Sequence, residues 1–292
     1  MNFTKVQGAG NDFVLVETSD LKRDWSQIAR TMCDRHYGIG ADGLLLLLSS
    51  DIADFKMRIF NPDGSEAEAC GNGLRCFAKY VIDRGLVNTG AKEILIETIA
   101  GVRRVKVDKG TRKLARIQVS MGAPRFGAKD IPIVLELGRE KLVDITSMIN
   151  CSVTVEGKKL ALDLVSMGNP HAVHFYDQAV DDFPLLQLGP KVEHHRIFPN
   201  GANFEVARII DRQQIEARVW ERGVGETLAC GSGACAIAVA ARLRGYIDNK
   251  VNVKLPGGIL NVEWDGVGEV FLSGPAEIVF SGEWPDKGEG GL

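Results

Sequence analysis

The chain has 292 residues, 45% hydrophobic and 25% charged, the balance of a globular protein long enough for two domains of roughly 150 residues. A formal net charge of −3 leaves no basic footprint, which argues against nucleic acid and anionic membrane as partners. The longest aliphatic run, residues 44–48, is far too short to span a bilayer, and the N-terminus lacks the apolar core of a signal peptide, so a cytoplasmic location is expected. The six cysteines (33, 70, 76, 151, 230 and 235) include no C-x-x-C pair, so neither a secreted disulfide framework nor a metal site is expected.

In chain order, the first residues lead into a strand-like stretch and then a Gly-Asn pair, Gly10-Asn11. Residues 33–37 read as the polar end of a helix, followed by Gly38-Ile39-Gly40-Ala41-Asp42-Gly43. That string matches G-x-G-x-x-G, but the dinucleotide fingerprint follows a strand and opens a helix. Here a helix end precedes and a buried strand, 44–48, follows, so the segment reads as a glycine turn. Residues 57–60 read as a strand, Asn61-Pro62-Asp63-Gly64-Ser65-Glu66 as a turn, and the stretch after Cys70 as a helix. Arg75, Lys79 and Asp83 fall at four-residue steps and imply one wet edge on that helix, with Gly85 as its stop. Strands at 93–98 and beyond the Ala100-Gly101 turn follow, and Met121-Gly122-Ala123-Pro124 reads as a crossover.

The second half repeats this order. Gly168-Asn169-Pro170-His171 precedes a strand at 172–175, and His174 falls on the face opposite His171. His194-His195 sits in a polar loop and receives no role. Gly201-Ala202-Asn203 corresponds to Gly40-Ala41-Asp42, the strand at 217–220 to that at 57–60, and Ala229-Cys230-Gly231-Ser232-Gly233 to Ala69-Cys70-Gly71-Asn72-Gly73. The helix at 234–243 is apolar all round until Arg242, Gly245 stops it, and a strand at 250–255 and the Gly257-Gly258 turn come next. Ser273-Gly274-Pro275 reads as a return, with the strand at 276–280 completing the first half and a polar tail, 285–292, read as disordered. The expected fold is therefore α+β, two pseudosymmetric domains, each a curled, mostly antiparallel sheet wrapped around a central helix. The domains are expected at 1–122 plus 276–292, carrying Cys70, and at 123–275, carrying Cys230.

A free thiol ionises near pH 8.5, and a helix N-terminus stabilises the thiolate. Backbone N–H groups exposed there also bind anions, so a substrate carboxylate could dock beside the sulfur. Two such sites in register suit removal of a proton from one face of a carbon and delivery of another to the opposite face. Asn61 lies just upstream of Cys70. Glu221-Arg222-Gly223 holds the equivalent place before Cys230, where Arg222 could grip a carboxylate bidentately and Glu221 could accept from an ammonium.

Taken together, Gly8–Phe13 (GAGNDF), 60–66 (FNPDGSE), 69–76 (ACGNGLRC), 167–171 (MGNPH), Gly201-Ala202-Asn203, 221–227 (ERGVGET) and 229–235 (ACGSGAC) resemble the diaminopimelate epimerase family nearly end to end. The resemblance implies an active site between two lobes, no cofactor, a homodimer, a small-molecule amino-acid substrate, and interconversion of LL- and meso-diaminopimelate. It implies Cys70 and Cys230 as catalytic acid and base, and His171 and Glu221 as residues that tune their pKa values. It also implies that Asn11, Asn61, Gly71, Asn72, Asn169, Asn203, Glu221, Arg222, Gly231 and Ser232 bind substrate. Some family members carry glutamine where this chain has Gly43. A proline-racemase-like enzyme of the same fold is the alternative reading. A phenazine-biosynthesis-like isomerase is a weaker one, because that group does not use the cysteine pair.

Overall fold

The computed structural model describes residues 1–67, 70–87, 92–108, 116–127, 130–133 and 149–285. Beyond Pro285, the polar tail expected to be disordered lies outside the described residues. The chain divides into two compact units, Met1–Val119 with Gly274–Leu292, and Ser120–Ser273.

In the first unit, β1 (Asn2–Gly8) and β2 (Asn11–Glu17) form a hairpin with Gly8 opposite Asn11. Its two loop residues, Ala9 and Gly10, have φ of 56° and 83°, the sense of turn whose twist matches that of the paired strands. Helix α1 (Trp25–Cys33) connects β2 to the parallel β3 (Gly43–Leu48), and β4 (Phe55–Phe60) returns antiparallel. The short β5 (Glu66–Ala67) folds back on β4, and α2 (Gly71–Asp83) crosses to β6 (Glu93–Thr98), parallel to β4. Two further antiparallel strands follow, β7 (Gly101–Asp108) and β8 (Arg116–Ser120), and the C-terminal strand β18 (Glu277–Glu283) pairs with β1.

Helix α2 touches β1, β2, β3, β7 and β18, so the sheet curls around it. On the other face, Trp25, Ala29 and Met32 of α1 pack with Val14, Val16, Leu44, Leu46 and Leu48. Leu45 faces α2 instead, 3.3 Å from where a Cβ on Gly73 would lie. Helices on both faces are the reason β3 is an unbroken run of leucines. The Gly38–Gly43 segment leads from helix to strand, and its backbone N–H groups cap the end of α1, with Ile39 and Gly40 bonding Met32 and Ala41 bonding Cys33. A Cβ on Gly38 would meet the Thr31 carbonyl oxygen at 2.2 Å, so glycine is required there by close approach and not by a nucleotide.

The second unit runs through the same order. A hairpin of β9 (Cys151–Val155) and β10 (Lys158–Ser166) leads to β11 (Pro170–Phe175), antiparallel to β10. Helix α3 (Leu185–Glu193) precedes β12 (Asn203–Asp211), parallel to β11, and β13 (Gln214–Glu221) returns with the short β14 (Gly225–Thr227) at its end. Helix α4 (Gly231–Leu243) crosses to β15 (Lys250–Leu255), parallel to β13, followed by β16 (Gly258–Glu263) and β17 (Phe271–Ser273). Leu185, Leu188 and Val192 of α3 pack with Leu160, Leu162, Leu164, Phe204 and Val206. Helix α4 is buried from Gly233 to Ala241, as its wholly apolar sequence requires.

Helix α2 departs from expectation at one position. Lys79 and Asp83 form the surface pair their spacing implies, 2.5 Å apart, but Arg75 is fully buried and belongs to no wet edge. Its guanidinium donates to Gly71 O at 3.3 Å and to Asn72 Oδ1 at 2.7 Å, within the first turn of its own helix. The first turn of α2 is enclosed where the last is not.

Candidate active site

Each of the paired cysteines is the N-cap of its unit's central helix. Cys70 (φ −143°, ψ 120°) and Cys230 (φ −117°, ψ 116°) have extended backbones, and each sulfur accepts from the N–H two residues into the helix, Gly73 or Gly233, at 3.4 Å. An oxygen of Ser, Thr, Asn or Asp usually fills this position. Sulfur there places the thiol against the positive end of a helix, where a thiolate and a bound anion are both favoured. Glycine at the N–H donor is a packing requirement, because a Cβ on Gly233 would sit 3.0 Å from Glu205 Oε1 and 3.4 Å from the Cys230 sulfur.

Around Cys70, the β1–β2 turn delivers Asn11, whose Oδ1 accepts from Asn72 Nδ2 at 3.1 Å and lies 3.9 Å from the sulfur. Asn11 Nδ2 donates to Asp42 Oδ2 at 2.8 Å. Asp42 in turn accepts from Arg35, which also binds Asp12, and Lys5 pairs with Asp12 at 2.5 Å. Burial alone would raise the Asp12 carboxyl, but the bonds from Arg35 and Lys5 override it and hold it at about 2. The side chains of Asp42 and Arg75 thus brace Asn11 and Asn72. Asn61 hydrogen-bonds within its own turn, Nδ2 to Ser65 Oγ at 2.9 Å. Cys33 and Cys76 are pushed up to about 12 by burial and are inert.

Around Cys230 the surroundings are acidic. Burial pushes this thiol well above its ordinary value, and the carboxylates of Glu221 and Glu205 push the same way, against the Ser232 hydroxyl and the Gly233 N–H. Ser232 Oγ is 3.5 Å from the sulfur. Burial also raises the Glu221 carboxyl, against the Thr227 hydroxyl, which donates to it at 2.5 Å, and the Cys230 thiol. His171 is fully buried on β11, with Nδ1 2.6 Å from Glu205 Oε1 and Nε2 3.0 Å from Asn169 Oδ1. His174 points the other way, where Nδ1–H donates to Ala161 O.

Asn203 ties two loops of this unit together. Its Nδ2 donates to Pro170 O at 3.0 Å, and its Oδ1 accepts from Arg222 N at 2.9 Å. The Arg222 side chain is exposed, with Nη1 donating to Asn200 O at 3.2 Å. The buried Glu193 of α3 accepts from Gly223 N at 2.8 Å and from Trp220 Nε1 at 2.7 Å, fixing the Glu221–Gly223 turn from behind. His194 and His195 line a concavity together with Asn200 and Arg222.

The structure thus gathers Asn11, Gly71 and Asn72 around Cys70, and His171, Glu221, Gly231 and Ser232 around Cys230. Asn203 joins the Pro170 and Arg222 backbones, while Asn169 joins the second group through His171. Sequence reasoning missed Glu205, Asp42, Arg75 and Glu193. Among the described residues, no group of three or more His, Cys, Asp or Glu side chains could hold a metal ion, and no helix is long and apolar enough to cross a membrane.

Comparison with known proteins identifies the family. The family described as "Diaminopimelate epimerase" matches residues 3–127 and 164–279. The diaminopimelate epimerase of Pelotomaculum thermopropionicum is 47% identical over 290 residues, covering 98% of this chain and 99% of that protein. That of Acetivibrio thermocellus is 46% identical over 285 residues, covering 97% and 98%. Among solved structures, a phenazine biosynthesis protein of the PhzF family from Bacillus anthracis superposes with a TM-score of 0.70 at 19% identity, covering 98% of this chain and 99% of that one. A hydroxyproline epimerase from Agrobacterium vitis, solved with bound trans-4-hydroxy-L-proline, superposes at 0.69 and 14% identity, covering 97% and 91%. At such identities these two establish the fold alone, two sheet-wrapped-helix halves in one chain, while the close relatives and the match across both halves establish the family. The chain belongs to the diaminopimelate epimerase family.

Proposed function

We propose that this protein interconverts LL- and meso-2,6-diaminopimelate, without a cofactor, using Cys70 and Cys230 as an acid–base pair. The observation that carries the reading is that both thiols cap the central helices of the two units, each with a backbone N–H donating to its sulfur. The α-carbon of an amino acid is a weak acid, so the site must stabilise negative charge as it develops. The N–H groups of Gly71, Asn72, Gly231 and Ser232 are suited to hold the carboxylate at the reacting centre, where helix ends favour that charge. Asn11, Asn61, Asn169, Asn203, Glu221 and Arg222 serve to recognise the amino and carboxyl groups of the substrate, with Arg222 as the bidentate carboxylate grip.

In the reaction, one sulfur takes the α-proton as the Cα–H bond breaks, and the other gives up its own proton as a new Cα–H bond forms on the opposite face. The starting thiolate ends as a thiol and the starting thiol as a thiolate, so the reverse reaction exchanges their roles. Cys230, buried and flanked by Glu221 and Glu205, is suited to rest as the thiol. His171 and Glu221 then modulate the proton affinity of the sulfurs. Chemistry that depends on reduced thiols suits a reducing compartment, and we read the protein as cytoplasmic. We also read it as a homodimer, a reading supported by β18, which exposes Ile278, Val279 and Phe280.

Purified protein incubated with LL-diaminopimelate, with no pyridoxal phosphate or metal added and a chelator present, is expected to form the meso isomer. No conversion, or conversion that requires an added cofactor, contradicts the reading.

A further inference from the structure

We infer that Glu205 is a positioning residue that, acting through His171, holds the Asn169 side chain with its amide NH2 group turned outward to receive a substrate carboxylate. The inference rests on the reading above that Asn169 meets the substrate. β11 and β12 run in parallel with His171 opposite Asn203 and Val173 opposite Glu205, so His171, Asn203 and Glu205 share one face of the sheet. That face is covered by the start of α4, since a Cβ on Gly233 would lie 3.0 Å from Glu205 Oε1.

The side chains of His171 and Glu205 are both 0% exposed and 2.6 Å apart. Glu205 Oε2 is buried with no hydrogen-bond partner among the described residues. A carboxylate so placed keeps its charge only if an adjacent cation compensates it. Both ring nitrogens of His171 face oxygens, Glu205 Oε1 and Asn169 Oδ1, an arrangement that calls for an N–H on each.

An imidazolium has two N–H donors and no acceptor. Nδ1–H is committed to Glu205, so Nε2–H must donate, and its partner is Asn169 Oδ1 at 3.0 Å. An amide whose oxygen is held this way turns its NH2 group in the opposite direction. Asn169 is half-exposed, on the loop where Gly168 has φ 98°. An outward NH2 donor matches a carboxylate, whereas an outward carbonyl would repel it. A neutral ring has one bare nitrogen that can accept from the amide, leaving Asn169 free to bind either way round. Stability does not explain the pair, because replacing a buried ion pair with apolar side chains is commonly neutral or stabilising.

Nitrogen-15 NMR of the unliganded full-length protein at neutral pH, with His171 assigned from a His171→Gln variant, is expected to show both ring nitrogens of His171 protonated. Glu205→Gln, checked for fold by near-ultraviolet circular dichroism, is expected to leave the ring neutral. It is also expected to raise KM for LL-diaminopimelate about tenfold, a larger change than that in kcat. Adding Asn169→Ala to Glu205→Gln should raise KM little further. A neutral His171 in the wild type overturns the inference, as does an unchanged KM in a folded Glu205→Gln protein with a neutral ring. The ring state is read without substrate, so absence of turnover by the wild type would count against the epimerase reading and leave this assignment to be decided by the spectrum.

Discussion

The proposed chemistry lies in two sulfur atoms with different neighbours. Cys70 sits beside amides braced by the cationic Arg75 and the Arg35–Asp42 pair, whereas Cys230 sits beside Glu221 and Glu205. Either Cys70→Ala or Cys230→Ala is expected to lower epimerisation by about 10²–10⁴-fold or more, the contribution of a positioned acid or base. A steady-state assay checks this, and full activity in either variant removes the pair from the mechanism. Cys70 and Cys230 were legible in the sequence because their motifs recur in register. Glu205 was not, because it lies between Phe204 and Val206 in the alternation of a half-wet strand, and only cover on both sheet faces turns it inward. Arg75 was misread for a related reason, since its spacing from Lys79 and Asp83 describes one helix edge but not where along that edge the covering structure begins.

At the scale of elements, the helix starts and the strands that brace them set the geometry. Gly233→Ala pushes a methyl group to within 3.0 Å of Glu205 Oε1, against the buried Glu205–His171 pair. Overpacking of this kind costs about 1–3 kcal/mol, visible as a lower denaturant midpoint, together with loss of activity as the cap of α4 shifts. An unchanged midpoint and activity would show that the helix start tolerates a side chain. The strand ends near Cys70 carry a different signature. Asp12 is held at about 2 against an ordinary value of 3.8, so the folded state binds its proton less tightly than the unfolded state does. Its contribution to stability is therefore fully present above pH 4 and lost as pH falls towards 2. Urea midpoints measured between pH 5 and pH 2 should fall in the wild type and fall less in Asp12→Asn, and equal slopes in the two proteins exclude the Asp12 network as the cause.

For the whole molecule, two units repeat one order of strands and helices, and the sequence announced this through its glycine turns. Gly10-Asn11 and Gly168-Asn169 both lie where an antiparallel pair reverses, and Gly85 and Gly245 both follow the central helices with φ of 67° and 71°. Short motifs identify such turns because few residues tolerate the backbone there, whereas the packing between turns is long-range and leaves a weaker local trace. The exposed Ile278, Val279 and Phe280 on β18 support the expected dimer. Phe280→Lys is accordingly expected to lower the sedimentation coefficient, and an unchanged coefficient would remove β18 from the proposed interface.

Initial-rate epimerisation in deuterated water bears most directly on two-thiol inversion. The sulfur that donates has exchanged its proton with solvent, so the first meso product is expected to carry deuterium at the inverted carbon while unreacted LL substrate keeps its protium. Product that retains the original α-proton at early times would mean that a single base removes and returns it, contradicting a mechanism that uses both cysteines.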